Sequence, residues 1–224
     1  MASADWLSTD EGVSSSVVGE HVGVISLDRP ETRNALTHGM YAALERLVRA
    51  APSAGIRCLV VTGTDPAFCS GDDVRRVMGA GEEGRAPLAD DRRPRLTPAA
   101  DALLHVDVPV VAAVNGAAVG WGMELALLAD IRVASERARF GELFVLRGLV
   151  SDVAGIGRLA SLVGRERAAE LLFTGDVIDA AAPVSFGWSA REGTHDFNAD
   201  QNDAHAAFVA VDPISEYEHV EGRC

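Results

Sequence analysis

The segment from Pro109 to Asp130, PVVAAVNGAAVGWGMELALLAD, constrains the fold of this 224-residue chain more than any other. It begins as an apolar strand, continues through a turn of small residues and ends as an apolar helix. Gly116, Gly120 and Gly122 allow the backbone at this turn to come close to a ligand. Because the N–H groups at a helix start stabilise a negative oxygen and Glu124 adds a carboxylate beside them, the segment predicts chemistry on a carbonyl group.

Strands and helices alternate along the rest of the sequence. The predicted strands lie at 16–27 (a pair that turns near Gly19), 58–63, 108–114 and 131–134, and the predicted helices at 37–51, from 74, 97–105, 124–129, 154–162 and 165–173. This alternation is typical of an α/β fold. Residues 79–98 are rich in glycine, proline and charge, which predicts a mobile flap.

Composition excludes several classes of partner. The formal charge of −13 argues against nucleic acid, since phosphates would be repelled. No apolar stretch reaches the length of a membrane span, and the acidic N-terminus lacks the features of a secretory signal. Three cysteines without metal-ligand spacing favour a reduced, cytoplasmic compartment, with neither a disulfide nor a metal site.

Four motifs occur in a fixed order: RPxxxNAL at 29–36, AFCSGDD at 67–73, PVVAAVNGAAVGWGMEL at 109–125 and GRERAAELLFTGD at 164–176. In this order and spacing they resemble the crotonase superfamily, the enoyl-CoA hydratases and isomerases, over roughly residues 17–181. The resemblance implies an α/β spiral of ββα units that assembles as a homo-trimer or hexamer. A dinucleotide site is the rejected alternative, because GxxxGxG lacks the GxGxxG order.

The resemblance also implies the site. Backbone N–H groups of Asp72 and Trp121 would form an oxyanion hole for a thioester enolate, and Glu124 would transfer a proton. The Trp121 ring is expected to restrict the acyl group or stack on it. No cofactor is implied, since coenzyme A arrives as part of the acyl-CoA substrate. The residues implied to bind that substrate are Arg33, Ala35, Ser70, Gly71, Asp73, Val74, Gly120, Gly122 and Phe144.

The carboxylates depart from the hydratase pattern. Phe144 occupies the position of the family's second glutamate, and a phenyl ring moves no proton. Glu142 would share the face of residue 144 in an extended segment but not in a helix. Asp152 matches an aspartate of dienoyl-CoA isomerases and aryl-CoA dehalogenases in this family, and it also suits the N-cap of the next helix. A Glu124–Asp152 pair favours a proton-shuttling isomerase over an enzyme that adds water.

The chain divides into three parts on this basis. Residues 1–12 are predicted to be a flexible tail, residues 13–181 the core domain, and residues 182–224 a divergent segment with no family motif, possibly frameshifted. The C-terminal region is therefore atypical or truncated. Two hypotheses follow: an acyl-CoA enzyme of the hydratase/isomerase type, or a catalytically impaired protein that binds coenzyme A without turnover.

Overall fold

The computed structural model describes residues 6–77, 96–151, 153, 155–180 and 191–193, with only the backbone described at 76–77 and 191–193. Two sheets organise these residues. The strands are β1 (Thr9–Asp10), β2 (Val13–Val18), β3 (Val22–Leu27), β4 (Cys58–Gly63), β5 (Ala67–Cys69), β6 (Val110–Val114), β7 (Ala117–Val119), β8 (Ile131–Ser135), β9 (Arg139–Gly141), β10 (Val177–Asp179) and β11 (Arg191–Gly193). The helices are α1 (His38–Ala50), α2 (Val74–Val77), α3 (Pro98–His105), α4 (Trp121–Leu128), α5 (Ala160–Val163) and α6 (Arg165–Thr174).

The larger sheet has the order β1-β2-β3-β4-β6-β8-β11. Its first three strands are antiparallel neighbours, and the pairs from β3 to β11 are parallel. The central strands are continuous runs of small and branched apolar residues because both of their faces are buried. The predicted strands at 16–27, 58–63, 108–114 and 131–134 all lie in this sheet.

The smaller sheet, in the order β10-β9-β7-β5, explains the spiral. Three times in succession, one strand joins the larger sheet (β4, β6, β8) and the next joins the smaller sheet (β5, β7, β9) before the chain becomes helical. The expected architecture of ββα units is therefore confirmed. Each transition from the smaller sheet to a helix forms a turn at the same end of the molecule.

Threonine side chains set the starts of two helices. Thr37 accepts a hydrogen bond from the Met40 N–H at 3.2 Å, and Thr97 accepts one from the Ala100 N–H at 3.3 Å, so each threonine caps the start of a helix that the sequence predicts. Helix α1 then buries its apolar stripe, which includes Met40, in the core between helix and sheet. No helix in the described part of the chain is both long and apolar enough to cross a bilayer.

The structure corrects the prediction of a flexible tail at residues 1–12 in its described part, residues 6–12. Trp6 is only 2% exposed, packs over Gly23 and donates its indole N–H to the Leu47 carbonyl at 3.0 Å. Strand β1 also pairs with β2. A single tryptophan in a polar segment has no periodicity, so its role as an anchor depends on partners distant in sequence.

Three other segments differ from the sequence prediction or lie outside the structure. Most of the predicted flap at 79–98 lies outside the described residues, and Pro98 is the first residue of α3. The helix predicted at 154–162 is divided into a π-helix over Gly155–Leu159 and the short helix α5. Within the divergent segment 182–224, only β11 is described, and it pairs with β8.

Candidate active site

Two glycine-containing turns, one after β5 and one after β7, meet at the candidate site. Gly71 has φ +88° and Gly120 has φ +54°, so both turns use backbone conformations that L-residues rarely adopt. A Cβ atom on Gly71 would lie 3.0 Å from the Val119 carbonyl oxygen and 3.4 Å from the Trp121 nitrogen. The two turns are therefore in direct backbone contact, and a side chain at residue 71 would separate them.

The N–H groups of Asp72 and Trp121 are available at this contact. The β-bridge between Leu36 and Asp72 does not use the Asp72 N–H. Its hydrogen bonds run from the Leu36 N–H to the Gly71 carbonyl at 2.8 Å and from the Asp73 N–H to the Leu36 carbonyl at 2.9 Å. Trp121 is the first residue of α4, where a helix leaves its N–H groups without intrahelical acceptors. Among the residues that the structure describes, neither N–H donates a hydrogen bond.

A cavity of about 270 Å³ lies against both turns. Its lining includes seven of the residues implied by the resemblance: Ser70, Gly71, Asp72, Val74, Gly120, Trp121 and Phe144. Leu143, Arg147 and Leu149 complete the described lining. The sequence did not indicate these three, although they flank Phe144, because only a carboxylate was expected in that stretch.

Arg33, Ala35 and Asp73 support the site instead of lining the cavity. The Arg33 carbonyl accepts a hydrogen bond from the Ser70 N–H at 3.0 Å. The guanidinium of Arg29 donates to the Ala35 carbonyl at 2.7 Å and pairs with Asp73 at 3.1 Å. The RPxxxNAL motif therefore braces the turn that carries Asp72.

Two glycines of the Pro109–Asp130 segment, Gly116 and Gly122, lie against protein backbone. The sequence predicted that they would lie close to a ligand. A Cβ on Gly116 would lie 2.5 Å from the Pro66 carbonyl oxygen, and one on Gly122 would overlap the Cys69 carbonyl. Neither residue lines the cavity in the described structure. In the structure, Gly116 and Gly122 allow the second ββα unit to pack on the first, and ligand contact at these glycines stays a prediction.

Glu124 lies one helical turn after Trp121 and is completely buried. One carboxylate oxygen accepts a hydrogen bond from the Ser151 hydroxyl, and the other accepts the Gly155 N–H at 2.7 Å. The described lining of the cavity does not include Glu124. The carboxylate is thus held by two donors that sequence reasoning did not identify, because they follow 27 and 31 residues later.

The stretch after β9 places Phe144 and Glu142 differently. Glu142 directly precedes a 3₁₀-helix over Leu143–Arg147 and is 1% exposed, whereas Phe144 lines the cavity. Glu142 was expected to share the face of Phe144 only if this segment were extended. The segment is helical from Leu143, so Glu142 does not take that position. Glu142 instead approaches Gly155, since a Cβ there would lie 2.8 Å from its Oε1. Asp152 lies outside the described residues.

Tyr41 of α1 contacts both turns and was not anticipated from the sequence. Its hydroxyl donates to Asp72 Oδ1 at 2.6 Å. Its ring meets the Trp121 ring edge-to-face, with 4.7 Å between centroids and an interplanar angle of 89°. Because Trp121 is only 3% exposed, its ring packs mainly against protein, and the expectation that it stacks on the acyl group is not supported.

Comparisons with known proteins identify the family of this chain. The family model for enoyl-CoA hydratase/isomerase matches residues 18–188 and thus extends past residue 181, where the predicted core domain ends. YngF of Bacillus subtilis, which carries an enoyl-CoA hydratase/isomerase name, is 34% identical over 174 residues, 77% of this chain and 65% of YngF. The mevalonyl-coenzyme A hydratase SIDH of Beauveria bassiana is 38% identical over 174 residues, 75% of this chain and 61% of SIDH.

Solved structures show the same fold. A Thermobifida fusca protein crystallised with acetoacetyl-CoA is 33% identical, with a TM-score of 0.72 over 89% of this chain and 79% of that one. An enoyl-CoA hydratase of Bacillus anthracis is 27% identical, with a TM-score of 0.74 over 89% and 77% of the two chains. The present chain spans less than two thirds of the length of YngF and SIDH. By sequence and by fold, it belongs to the enoyl-CoA hydratase/isomerase family, a part of the crotonase superfamily.

Proposed function

We propose that this chain acts on an acyl-CoA thioester and stabilises its enolate with the N–H groups of Asp72 and Trp121. The observation that carries the proposal is that two N–H groups without described acceptors belong to touching turns beside one cavity. Donors that are positioned before the reaction stabilise developing charge without reorganising, and each contributes on the order of 3 kcal/mol to the barrier. Coenzyme A enters as part of the substrate, and the reaction needs no further cofactor.

Glu124 is the proposed proton-transfer group. It removes a proton from the carbon next to the thioester carbonyl, the electron pair moves to the carbonyl oxygen between the two amides, and a proton returns at a carbon farther along the acyl chain. The double bond moves, and neither atoms nor electrons are gained or lost. The hydrogen bonds from Ser151 and Gly155 fix the carboxylate orientation during this transfer.

Isomerisation is favoured over hydration because water addition in this family uses a second glutamate, and Phe144 lines the cavity at that position. We assign the second proton transfer to Asp152, which follows Ser151 directly in the sequence. We also propose that Arg33, Ala35 and Asp73 contribute to binding of the coenzyme A part of the substrate. The proposed assembly is a homo-trimer or hexamer, and the proposed location is the cytoplasm.

The second candidate function is binding of acyl-CoA without turnover. It is favoured by the same phenyl ring, because the described cavity lining contains no glutamate. The two candidates differ in whether product forms, while both require the cavity to accept a coenzyme A thioester.

Glu124→Gln separates these functions. The amide keeps the size of the side chain and an acceptor oxygen but does not transfer protons, so isomerisation of 3-enoyl- or dienoyl-CoA should fall at least about 100-fold with little change in thioester affinity. The exposed Glu136→Gln is the matched control. Equal turnover by wild type and Glu124→Gln would remove Glu124 from the mechanism. Tight binding without any wild-type turnover would establish the second function.

A further inference from the structure

Tyr41 contacts the side chains of both proposed oxyanion-hole residues. Its hydroxyl donates to the Asp72 carboxylate at 2.6 Å, and its ring packs edge-on against Trp121 at 4.7 Å. Both contacts are made from α1, an element outside the two turns. Edge-to-face packing and a hydrogen bond to a charged acceptor both restrict the side chains that they join.

Asp72 places a negative charge beside an amide whose proposed task is to stabilise negative charge. Two like charges a few ångströms apart repel, and the repulsion is stronger near protein than in bulk water. Asp72 lines the cavity, and among the described residues no arginine, lysine or histidine forms an ion pair with it. The Tyr41 hydroxyl is thus the described donor that engages this carboxylate.

The neighbouring Asp73 provides a comparison within the same turn. Its carboxylate pairs with Arg29 at 3.1 Å and does not line the cavity. Two adjacent acids are therefore restrained by different means, Asp73 by a cation of the RPxxxNAL loop and Asp72 by a neutral phenol. A cation paired with Asp72 would itself attract the enolate oxygen. The Tyr41 phenol directs its proton to Asp72 instead, so the enolate oxygen can bind the backbone amides.

We propose that Tyr41 is a positioning residue for the oxyanion hole. It holds the Asp72 carboxylate in a hydrogen bond, so that this charge does not turn toward the enolate oxygen, and its ring keeps the Trp121 turn in place. The inference rests on the proposed function, because it assigns a role in stabilising the same enolate. It adds a third element, α1, to a site that the two turns form through their backbone.

The test uses bound acetoacetyl-CoA, whose enolate and keto forms differ in near-ultraviolet absorbance. Wild type should raise the enolate-to-keto ratio above that in buffer at the same pH. Tyr41→Phe keeps the ring and removes the donor, and it should lower that ratio about tenfold, as expected for loss of a hydrogen bond to a charged group. The affinity for the thioester should change much less, and thermal unfolding should verify that the variant is folded.

Asp72→Asn distinguishes charge control from simple packing. In this background Tyr41→Phe should change the enolate ratio less than about twofold, because no charge is left to restrain. The inference about Tyr41 would be overturned if Tyr41→Phe changed the enolate ratio equally in both backgrounds. It would also be overturned if wild type enolised the ligand and Tyr41→Phe left the ratio unchanged, and the proposed function would stand in both cases. Failure of wild type to enolise bound acetoacetyl-CoA would overturn the proposed function, and the role of Tyr41 with it.

Discussion

Cys69 shows how a single residue near the site serves packing instead of chemistry. It is the last residue of β5, is completely buried, and lies against the backbone of Gly122. Burial raises the pKa of its thiol from 9.0 to about 12, more than a hydrogen bond from the Gly71 backbone lowers it. The thiol is therefore protonated at neutral pH, and its place in the Gly-rich turn gives it no role as a nucleophile.

This pKa predicts a specific loss of stability in alkali. The unfolded thiol ionises near pH 9.0 and the folded one near 12, so between these values the unfolded state binds fewer protons. The free energy of unfolding should fall by up to about 1.4 kcal/mol per pH unit over this window because of Cys69. Urea titrations from pH 8 to 10.5 measure the slope, and the difference from Cys69→Ala isolates this thiol from Cys58. Identical slopes would contradict the prediction.

Residue roles could be proposed from the sequence where the backbone would provide the function. Asp72 and Trp121 differ from the alanine and glycine usual in the family at these positions, yet the resemblance could propose them because only their N–H groups are required. Tyr41, Ser151 and Gly155 could not, since each acts through a partner at least 27 residues away. No local pattern encodes such a contact.

At the scale of elements, the π-helix over Gly155–Leu159 supports Glu124, the proposed proton-transfer group. Its first residue donates to Glu124, and the space above that residue is filled by Ser151 and Glu142. π-Helical turns are frequently found at functional sites. They turn backbone N–H and carbonyl groups outward that would form hydrogen bonds within a regular α-helix. The sequence predicted a helix here but not its irregular form.

Gly155→Ala should therefore damage the site and the fold together. The added Cβ would lie 2.8 Å from Glu142 Oε1 and overlap the Ser151 hydroxyl, so we expect a loss of about 1–3 kcal/mol in unfolding free energy and reduced turnover. Gly157→Ala in the same π-helix meets nothing within 4 Å and should be neutral or stabilising. Urea unfolding of both variants makes the comparison. Equal stability of the two would show that Gly155 is not constrained by its neighbours.

Elements were predicted well in the larger sheet and poorly in the smaller one. The strand at 58–63 and the caps Thr37 and Thr97 follow from local signals, namely a continuous apolar run and a hydroxyl before a helical stripe. Strands β5, β7, β9 and β10 have only three residues each, and the sequence did not predict them as strands. They exist because they pair with one another, which no window of sequence shows.

At the scale of the whole molecule, the ββα repeat brings distant motifs together. The motifs at 29–36, 67–73 and 109–125 lie on successive units and meet where the smaller sheet ends. Glycine at positions 71, 116 and 122 allows these units to approach at backbone distance. The site is therefore a consequence of stacked repeats, and its backbone donors are fixed by the same contacts that build the core.

The most direct test of the central claim removes one of the two amides. Trp121→Pro deletes the N–H at the first position of α4, where proline is well tolerated, and Gly120 has ψ −126°, outside the helical region that a following proline disfavours. Trp121→Ala is the matched control, because it also loses the ring but keeps the N–H.

The measurement is the enolate-to-keto ratio of bound acetoacetyl-CoA in these two variants. If the Trp121 amide stabilises the enolate oxygen, the proline variant should show a ratio about 100-fold below that of the alanine variant. Equal ratios in two folded variants that bind the ligand would contradict the account, because the N–H would then contribute nothing to the charge it is proposed to hold.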